Sequence, residues 1–165
     1  TRFYLCQKIV MKKTLILLDL DHTIIYGSYA PTEGAIKLFQ FNQYLAVYER
    51  PLARELVKLC QSKGDIIIYT TALKTYATKI SKSLKINPIQ ILSRKNCFRI
   101  NEQYRKVIDT DWIEKYESII VIDDSPNVWK NTTESIQFLV PTEFRGDVND
   151  TNLSTIIEKL NSLTQ

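Results

Sequence analysis

The run Leu15–Leu20 (LILLDL) ends an apolar stretch in carboxylates and continues as Asp19-Leu20-Asp21-His22-Thr23. An unbroken apolar run is the pattern of a strand buried on both faces, as in a parallel sheet. Two carboxylates at the end of such a strand repel each other at high cost unless a cation or a shared proton relieves them. A second acidic pair, Asp123-Asp124, follows a second apolar run, Ser118–Ile122 (SIIVI). The two pairs together predict one acidic site at the ends of two strands. An all-oxygen site of this kind suits a hard cation, Mg²⁺ above all.

The rest of the chain alternates. Ile66–Tyr69, Ile136–Val140 and, more weakly, Ile89–Leu92 read as further strands. Leu52–Gln61, Leu73–Leu84, Thr110–Tyr116 and Leu153–Leu163 carry helical spacing; Leu52, Leu56 and Leu59 are placed on one face of the first of these. Strand–helix alternation predicts an α/β fold with a central, mostly parallel sheet and helices on both faces. One segment departs from it. Ile36–Phe41 and Tyr44–Glu49 flank Asn42-Gln43 and read as a β-hairpin. It falls after the first strand, so it is expected as a small flap over the C-terminal sheet edge, where open α/β sheets bind ligands. No repeat or second domain is visible, and 165 residues fit one domain spanning 1–165. Thr1–Val10 is left open as a fragment boundary, a cloning scar or a native extension; it lacks the order of features of a signal peptide.

Several chemistries are excluded. His22 is the sole histidine, which removes a histidine-built metal centre and leaves a Ser-His-Asp triad resting on one residue. Cys6, Cys60 and Cys97 are odd in number and widely spaced, so reduced thiols in a reducing, cytoplasmic or nuclear, compartment are expected. A cysteine phosphatase loop needs Arg six positions after Cys, where this chain has Lys12, Ile66 and Gln103. The net charge of +4 permits a nucleic-acid partner, but no basic block exceeds a pair such as Lys12-Lys13, and none is expected. No apolar run approaches the roughly 20 residues of a membrane span.

Two more residues fit phosphoryl chemistry. Thr70 closes the strand IIIYT and can donate a hydroxyl hydrogen bond to a phosphate oxygen. Lys106, in a polar stretch before the Asp-Asp strand, can offset phosphate charge. The order DxDxT, Thr, Lys, Asp-Asp carries more than any member alone. With LLDLDHTII, ERPLARELVKL, IIIYTTALKTYA, LSRKNCFRINEQYRK and VIDDSP, residues 14 to 130 resemble the haloacid-dehalogenase (HAD) phosphohydrolases. Within them the chain is most similar to the FCP/SCP, NIF-type group of RNA polymerase II C-terminal-domain phosphatases.

The resemblance implies an HAD-like Rossmannoid fold and a Mg²⁺-dependent phosphoprotein phosphatase acting through an aspartyl-phosphate. It implies Asp19 as nucleophile, Asp21 as general acid and then base, Thr70 holding the phosphate and Lys106 neutralising it. The metal would take the Asp19 carboxylate, the Asp21 main-chain carbonyl and Asp124, with Asp123 close behind. Thr23 would brace the loop, and it is grouped with Phe39 and Phe41 as substrate-side residues. The family often has Asp-Asn where this chain has Asp123-Asp124, which leaves open which of the two is the ligand. Two other classes fit less well. Receiver-type phospho-acceptor modules carry the acidic pair first and the lone acceptor later, the reverse of this order. A catalytically dead binding module would be expected to have lost a motif position, and none is lost.

The spans Asp21–Thr70 and Thr70–Lys106 are too short for a large cap domain, which favours a protein substrate over a small metabolite. Tyr26, Tyr29, Phe39, Phe41, Tyr44 and Tyr48 gather six of the chain's 17 aromatic residues around the hairpin. Strand alternation places Phe39 and Phe41 on one face. An aromatic wall there favours phosphotyrosine, with phosphoserine/threonine as the alternative. His22, at the variable motif position, is expected to be a loop side chain, Cys97 a buried small residue, and Ser125-Pro126 the start of a helix.

Overall fold

The computed structural model describes residues 12–163; Thr1–Val10, including Cys6, lies outside the described residues. Five parallel strands form the central sheet in the order β11-β9-β1-β5-β6: Ile136–Leu139, Tyr116–Ile122, Lys12–Leu18, Asp65–Tyr69 and Gln90–Leu92. The two acid-tipped strands are neighbours in register, Leu18 opposite Ile122, so Asp19 and Asp123 leave the sheet side by side. On its other flank Leu18 aligns with Ile68, which places Thr70 at the same edge.

The period-two alternation of these strands feeds two cores. Ile16, Leu18, Ile66, Ile68, Ile120 and Ile122 face one way. That face is covered by α1 (Ala53–Lys63), α2 (Lys74–Ser83) and α4 (Asn152–Leu163). Leu15, Leu17, Ile67, Tyr69 and Val121 face the other way. There the cover is a single six-residue helix, α3 (Thr110–Lys115), and a small sheet of β7 (Phe98–Ile100), β8 (Gln103–Val107) and β10 (Trp129–Lys130). Helices therefore flank both faces, but the second face relies mainly on Trp129, Trp112 and strand residues. The β7–β8 hairpin is not evident in the sequence, because β7 is three exposed residues long and β8 is mostly polar without alternation.

The flap is larger than its hairpin pattern predicts. β3 (Ile36–Gln40) and β4 (Ala46–Glu49) pair antiparallel, and β2 (Ile25–Ser28) adds on the far side of β4. The turn is also wider: the Asn42 side chain accepts from the amides of Tyr44 and Leu45. As the middle strand, β4 is buried along its whole length, which erases the alternation a two-stranded hairpin would show. Helix α1 is seated differently too. Leu52 is its N-cap in the left-handed region, and the buried face is Ala53, Leu56, Val57 and Cys60, with Leu59 only half-buried. Ser125-Pro126 opens a single 3-10 turn, Pro126–Val128.

Gly64 ends α1 where the chain turns directly against β1. A Cβ on Gly64 would lie within 3 Å of the Thr14 carbonyl group, a clash with backbone that cannot rotate away. Gly64→Ala is therefore expected to destabilise by about 1–3 kcal/mol, as overpacking does. For a domain of this size that lowers the thermal midpoint by roughly 2–4 °C per kcal/mol, measurable by calorimetry.

Candidate active site

The acidic edge is built around one buried ammonium. Lys106 Nζ donates to Asp19 Oδ1 at 2.6 Å and to Asp123 Oδ2 at 2.7 Å, and all three side chains are nearly inaccessible. Sequence reading places Lys106 in a loop; it stands on β8. Its backbone is paired with Trp129 of β10, whose indole Nε1 donates to Asp123 Oδ2 at 2.8 Å. Its Nζ also lies 5.3 Å from the Trp129 ring centroid. Asp123 is thereby consumed: Oδ2 accepts from Lys106 and Trp129, and Oδ1 accepts from the Ser125 amide.

Asp124 is freer. It is half-buried, and among the described residues its oxygens accept only from the hydroxyls of Thr23 and Ser125. One ligand oxygen each from Asp19, Asp123 and Asp124 lies within 4.8 Å of the others, an all-oxygen set able to hold a hard cation. Burial pushes Asp19 up to about 8, and the Asp123 carboxylate adds to this against the opposing pull of Lys106. Burial likewise raises Asp124, with Asp123 contributing. Burial alone would lower Lys106, but Asp19 and Asp123 together hold it above its ordinary value. The protein on its own has more carboxylate than its one ammonium can balance, which is the electrostatic condition for taking up a cation.

Thr23 is placed among substrate-side residues by the sequence reading, but it is fully buried. Its hydroxyl accepts from the Asp124 amide and shares its proton between Asp19 Oδ2 and Asp124 Oδ1. It braces the two acid-bearing strands and has no surface to offer a substrate. Asp19, Asp21, Thr70, Lys106, Asp123 and Asp124 line one small cleft of about 130 Å³. The Thr70 hydroxyl accepts from the Ala72 amide at 3.1 Å, which leaves its proton for another acceptor.

Two features of the site escape sequence reading. Tyr76, on α2, donates to Asp21 Oδ1 at 2.9 Å, so only Oδ2 of Asp21 lacks a partner among the described residues. Burial raises the Asp21 pKa, against the pull of the Tyr76 hydrogen bond. Arg50 is fully buried and grips Asp150 through Nε and Nη2, each at 2.9 Å. Its Nη1 reaches the carbonyls of Thr23 at 2.9 Å and His22 at 3.4 Å. The turn after Asp21 is thus tied to the C-terminal segment. The Arg-Pro pair in ERPLARELVKL marks Arg50 in the sequence, but its partner a hundred residues away does not show. His22 is a loop residue at positive φ, its Nδ1 bonded to the Phe144 carbonyl. Cys97 is half-buried, its thiol near the carbonyls of Thr70 and Ser93.

A wider cleft of about 500 Å³ opens beside Asp21, walled by Phe41, Tyr29, Leu45, Leu73, Tyr76 and Arg94. Phe41 meets the Tyr76 ring edge-on at 5.1 Å. Phe39 is not part of this wall. It packs on the core, with Lys79 Nζ 6.0 Å from its ring centroid.

Removing Lys106 leaves Asp19 and Asp123 buried without a counter-charge. Lys106→Met is expected to cost about 3–5 kcal/mol of stability, the magnitude for breaking a buried ion pair from one side. Urea denaturation at neutral pH checks this.

Among curated proteins the chain is similar to a phosphatase of the RNA polymerase II C-terminal domain from Caenorhabditis elegans, 27% identical over 155 residues, covering 87% of this chain and 23% of that protein. It is also similar to the CTD small phosphatase-like protein 2 of Dictyostelium discoideum, 27% identical, covering 92% of this chain and 28% of that protein. The chain thus spans about a quarter of the length of these relatives. Its fold matches that of the fission yeast RNA polymerase II CTD phosphatase Fcp1 bound to beryllium fluoride, with a TM-score of 0.54 and 19% identity, over 93% of this chain and 50% of that one. Residues 13–165 match the family described as NLI interacting factor-like phosphatase, and to that family the chain belongs.

Proposed function

We propose that the chain hydrolyses phosphate monoesters on proteins, with Asp19 as nucleophile. The observation that carries this is the Asp19 carboxylate held on Lys106 at the floor of a cleft that Asp21 also enters. An Asp19 oxygen attacks phosphorus, and the bond to the leaving oxygen breaks as that oxygen takes a proton from Asp21. With Oδ1 engaged by Tyr76, Oδ2 is the atom of Asp21 that carries this proton. Asp21, now ionised, removes a proton from water, which attacks phosphorus and releases Asp19 and inorganic phosphate. Thr70 Oγ1 donates to a phosphate oxygen and Lys106 stabilises the charge on the transferring group.

Mg²⁺ fits the donor set. Asp19, Asp124 and the Asp21 main-chain carbonyl would hold it, while Asp123, which among the described residues has three donors on its two oxygens against two each for Asp19 and Asp124, anchors Lys106. Bound there, the cation supplies Lewis-acid charge to the phosphate and keeps Asp19 ionised. Asp19→Asn is expected to abolish turnover of p-nitrophenyl phosphate with the fold intact. Asp21→Asn should lose about 10²–10⁴-fold, the range for proton transfer. EDTA should remove activity and Mg²⁺ restore it. Full activity in EDTA, or in Asp19→Asn, overturns the mechanism and favours a binding module on the same fold.

The relatives' names point to a phosphorylated protein tail as substrate, and the open cleft admits one. Its aromatic wall supports phosphotyrosine over the alternative, phosphoserine/threonine, through ring packing worth about 0.5–1.5 kcal/mol per contact. Phe41 and Tyr76 supply that wall; Phe39 lies behind it. On matched peptides, Phe41→Ala is expected to reduce kcat/KM for phosphotyrosine roughly threefold to tenfold, and Phe39→Ala to leave it nearly unchanged. A phosphoserine preference untouched by Phe41→Ala assigns these rings to packing between the flap and α2 and leaves small-molecule esters to be compared next.

A further inference from the structure

The face of β8 that delivers Lys106 to the site continues outward as a cationic shelf. Residues two apart on a strand share a face, so Tyr104 stands on the Lys106 side of β8. Arg99 is directly opposite Tyr104 in the β7–β8 ladder and stands on that side too. Arg94 reaches the same ring from the short 3-10 turn Arg94–Asn96, its guanidinium carbon 5.3 Å from the Tyr104 centroid. One guanidinium thus lies over the Tyr104 ring, and a second arginine stands beside that ring on the same face.

Neither arginine is balanced. Arg94, Lys95 and Arg99 are exposed, and none of them has a carboxylate within ion-pair distance among the described residues. The Arg94 side chain makes one hydrogen bond, Nε to the Thr71 carbonyl at 2.9 Å, which leaves both terminal amino groups open. The turn that bears it is stiff. Its amide bonds the Ala72 carbonyl at 2.8 Å, Ser93 and Asn96 close a capping box, and the Tyr69 hydroxyl donates to the Asn96 carbonyl. Arg94 also walls the cleft beside Asp21, so the shelf is continuous with the site.

We propose that this shelf binds a second anionic side chain, a phosphorylated residue or a carboxylate, on the same substrate as the scissile phosphate. The proposal rests on the phosphatase reading above and adds a substrate class to it. Tyr104 is two residues from Lys106, about 7 Å along the strand. Anions seated on Lys106 and on the arginines would be roughly 7–10 Å apart, the reach of two or three residues of extended peptide. Paired guanidinium forks match phosphate geometry, and phosphate carries the larger charge.

The test compares a monophosphopeptide with versions bearing a second phosphate, Glu or Gln two or three residues away on either side. The second phosphate should raise kcat/KM by about tenfold or more through KM, Glu less, and Gln not at all. The gain should shrink with added salt. Arg99→Ala should erase the gain while leaving monophosphopeptide turnover unchanged. Binding of the same labelled peptides to Asp19→Asn, followed by anisotropy, reads the shelf without turnover. Preference for the bis-anionic peptide in that assay supports the shelf even if no peptide is hydrolysed, an outcome that strikes the phosphatase reading alone. Equal affinities, or a preference that survives Arg99→Ala, overturn the shelf. So does a single-stranded RNA oligonucleotide that outcompetes the bis-phosphopeptide and depends on Arg99.

Discussion

One ammonium shared by two buried carboxylates sets the geometry of this protein's working edge. Lys106 holds Asp19 on one strand and Asp123 on its neighbour at 2.6 and 2.7 Å. Taking three charges out of water is expensive, and a well-packed apolar cluster of the same volume would be as stable or more so. The arrangement is therefore better explained by the chemistry it permits than by the stability it adds. The surroundings show what is needed to hold it. Trp129 supplies both a hydrogen bond to Asp123 and a ring face to the ammonium, and Tyr69 packs edge-on against that ring at 5.2 Å. The small β7–β8–β10 sheet, otherwise a thin cover for the second core, exists in the right place to present Lys106 and Trp129 in parallel register.

A second buried cation, Arg50, does comparable work on the opposite side of the acid loop. The turn after Asp21 is tight: three successive amides, of Thr23, Ile24 and Ile25, all bond the Leu20 carbonyl, and His22 takes positive φ. Such a turn leaves other carbonyls pointing inward, and Arg50 satisfies two of them while its remaining donors are met by Asp150 and Thr142. The Phe144 ring lies against the guanidinium at 5.2 Å. The acid loop is thus fixed from two directions, by Asp124 through Thr23 and by the Thr142–Asp150 segment through Arg50.

The parallel sheet, its helices and the meeting of the two acidic pairs are legible in the sequence because each rests on a short, periodic or unbroken pattern. LILLDL and SIIVI state burial on both faces, and their shared ending in carboxylates states where they must meet. What escapes has a common cause. Lys106, Tyr104 and Arg105 lie on a hairpin whose first strand, Phe98–Ile100, is only three residues long and exposed, and whose second, Gln103–Val107, carries no apolar alternation, so the segment reads as polar loop. β2 does not show because Ile25–Ser28 is short and interrupted by Gly27. Phe39 and Phe41 do share a face, and Lys79 lies over both rings, yet only Phe41 reaches the cleft. A register shift between Lys37 and Phe39 alters the strand there, which period-two counting does not anticipate. Tyr76 and the Arg50–Asp150 pair depend on contacts 55 and 100 residues apart, a separation no local pattern encodes.

The proposed function sets a charge problem, because so acidic a floor would have to receive a phosphate dianion. Asp19, Asp123 and Asp124 set against Lys106 leave a formal charge of −2, which would repel the substrate. A divalent cation on that donor set would bring the floor to neutrality. Asp21 adds nothing while protonated, which is the state the proposed leaving-group role demands and the state that burial favours. The attraction that remains comes from donors facing a neutral floor: the Thr70 hydroxyl, the Lys106 ammonium and, further out, the guanidinium groups around Tyr104. In the proposed mechanism an anion would meet the guanidinium groups at the rim first, and could settle on Lys106 and Thr70 once a cation has removed the repulsion of the floor. In that reading metal occupancy and anion recognition are coupled by charge alone, without any moving part.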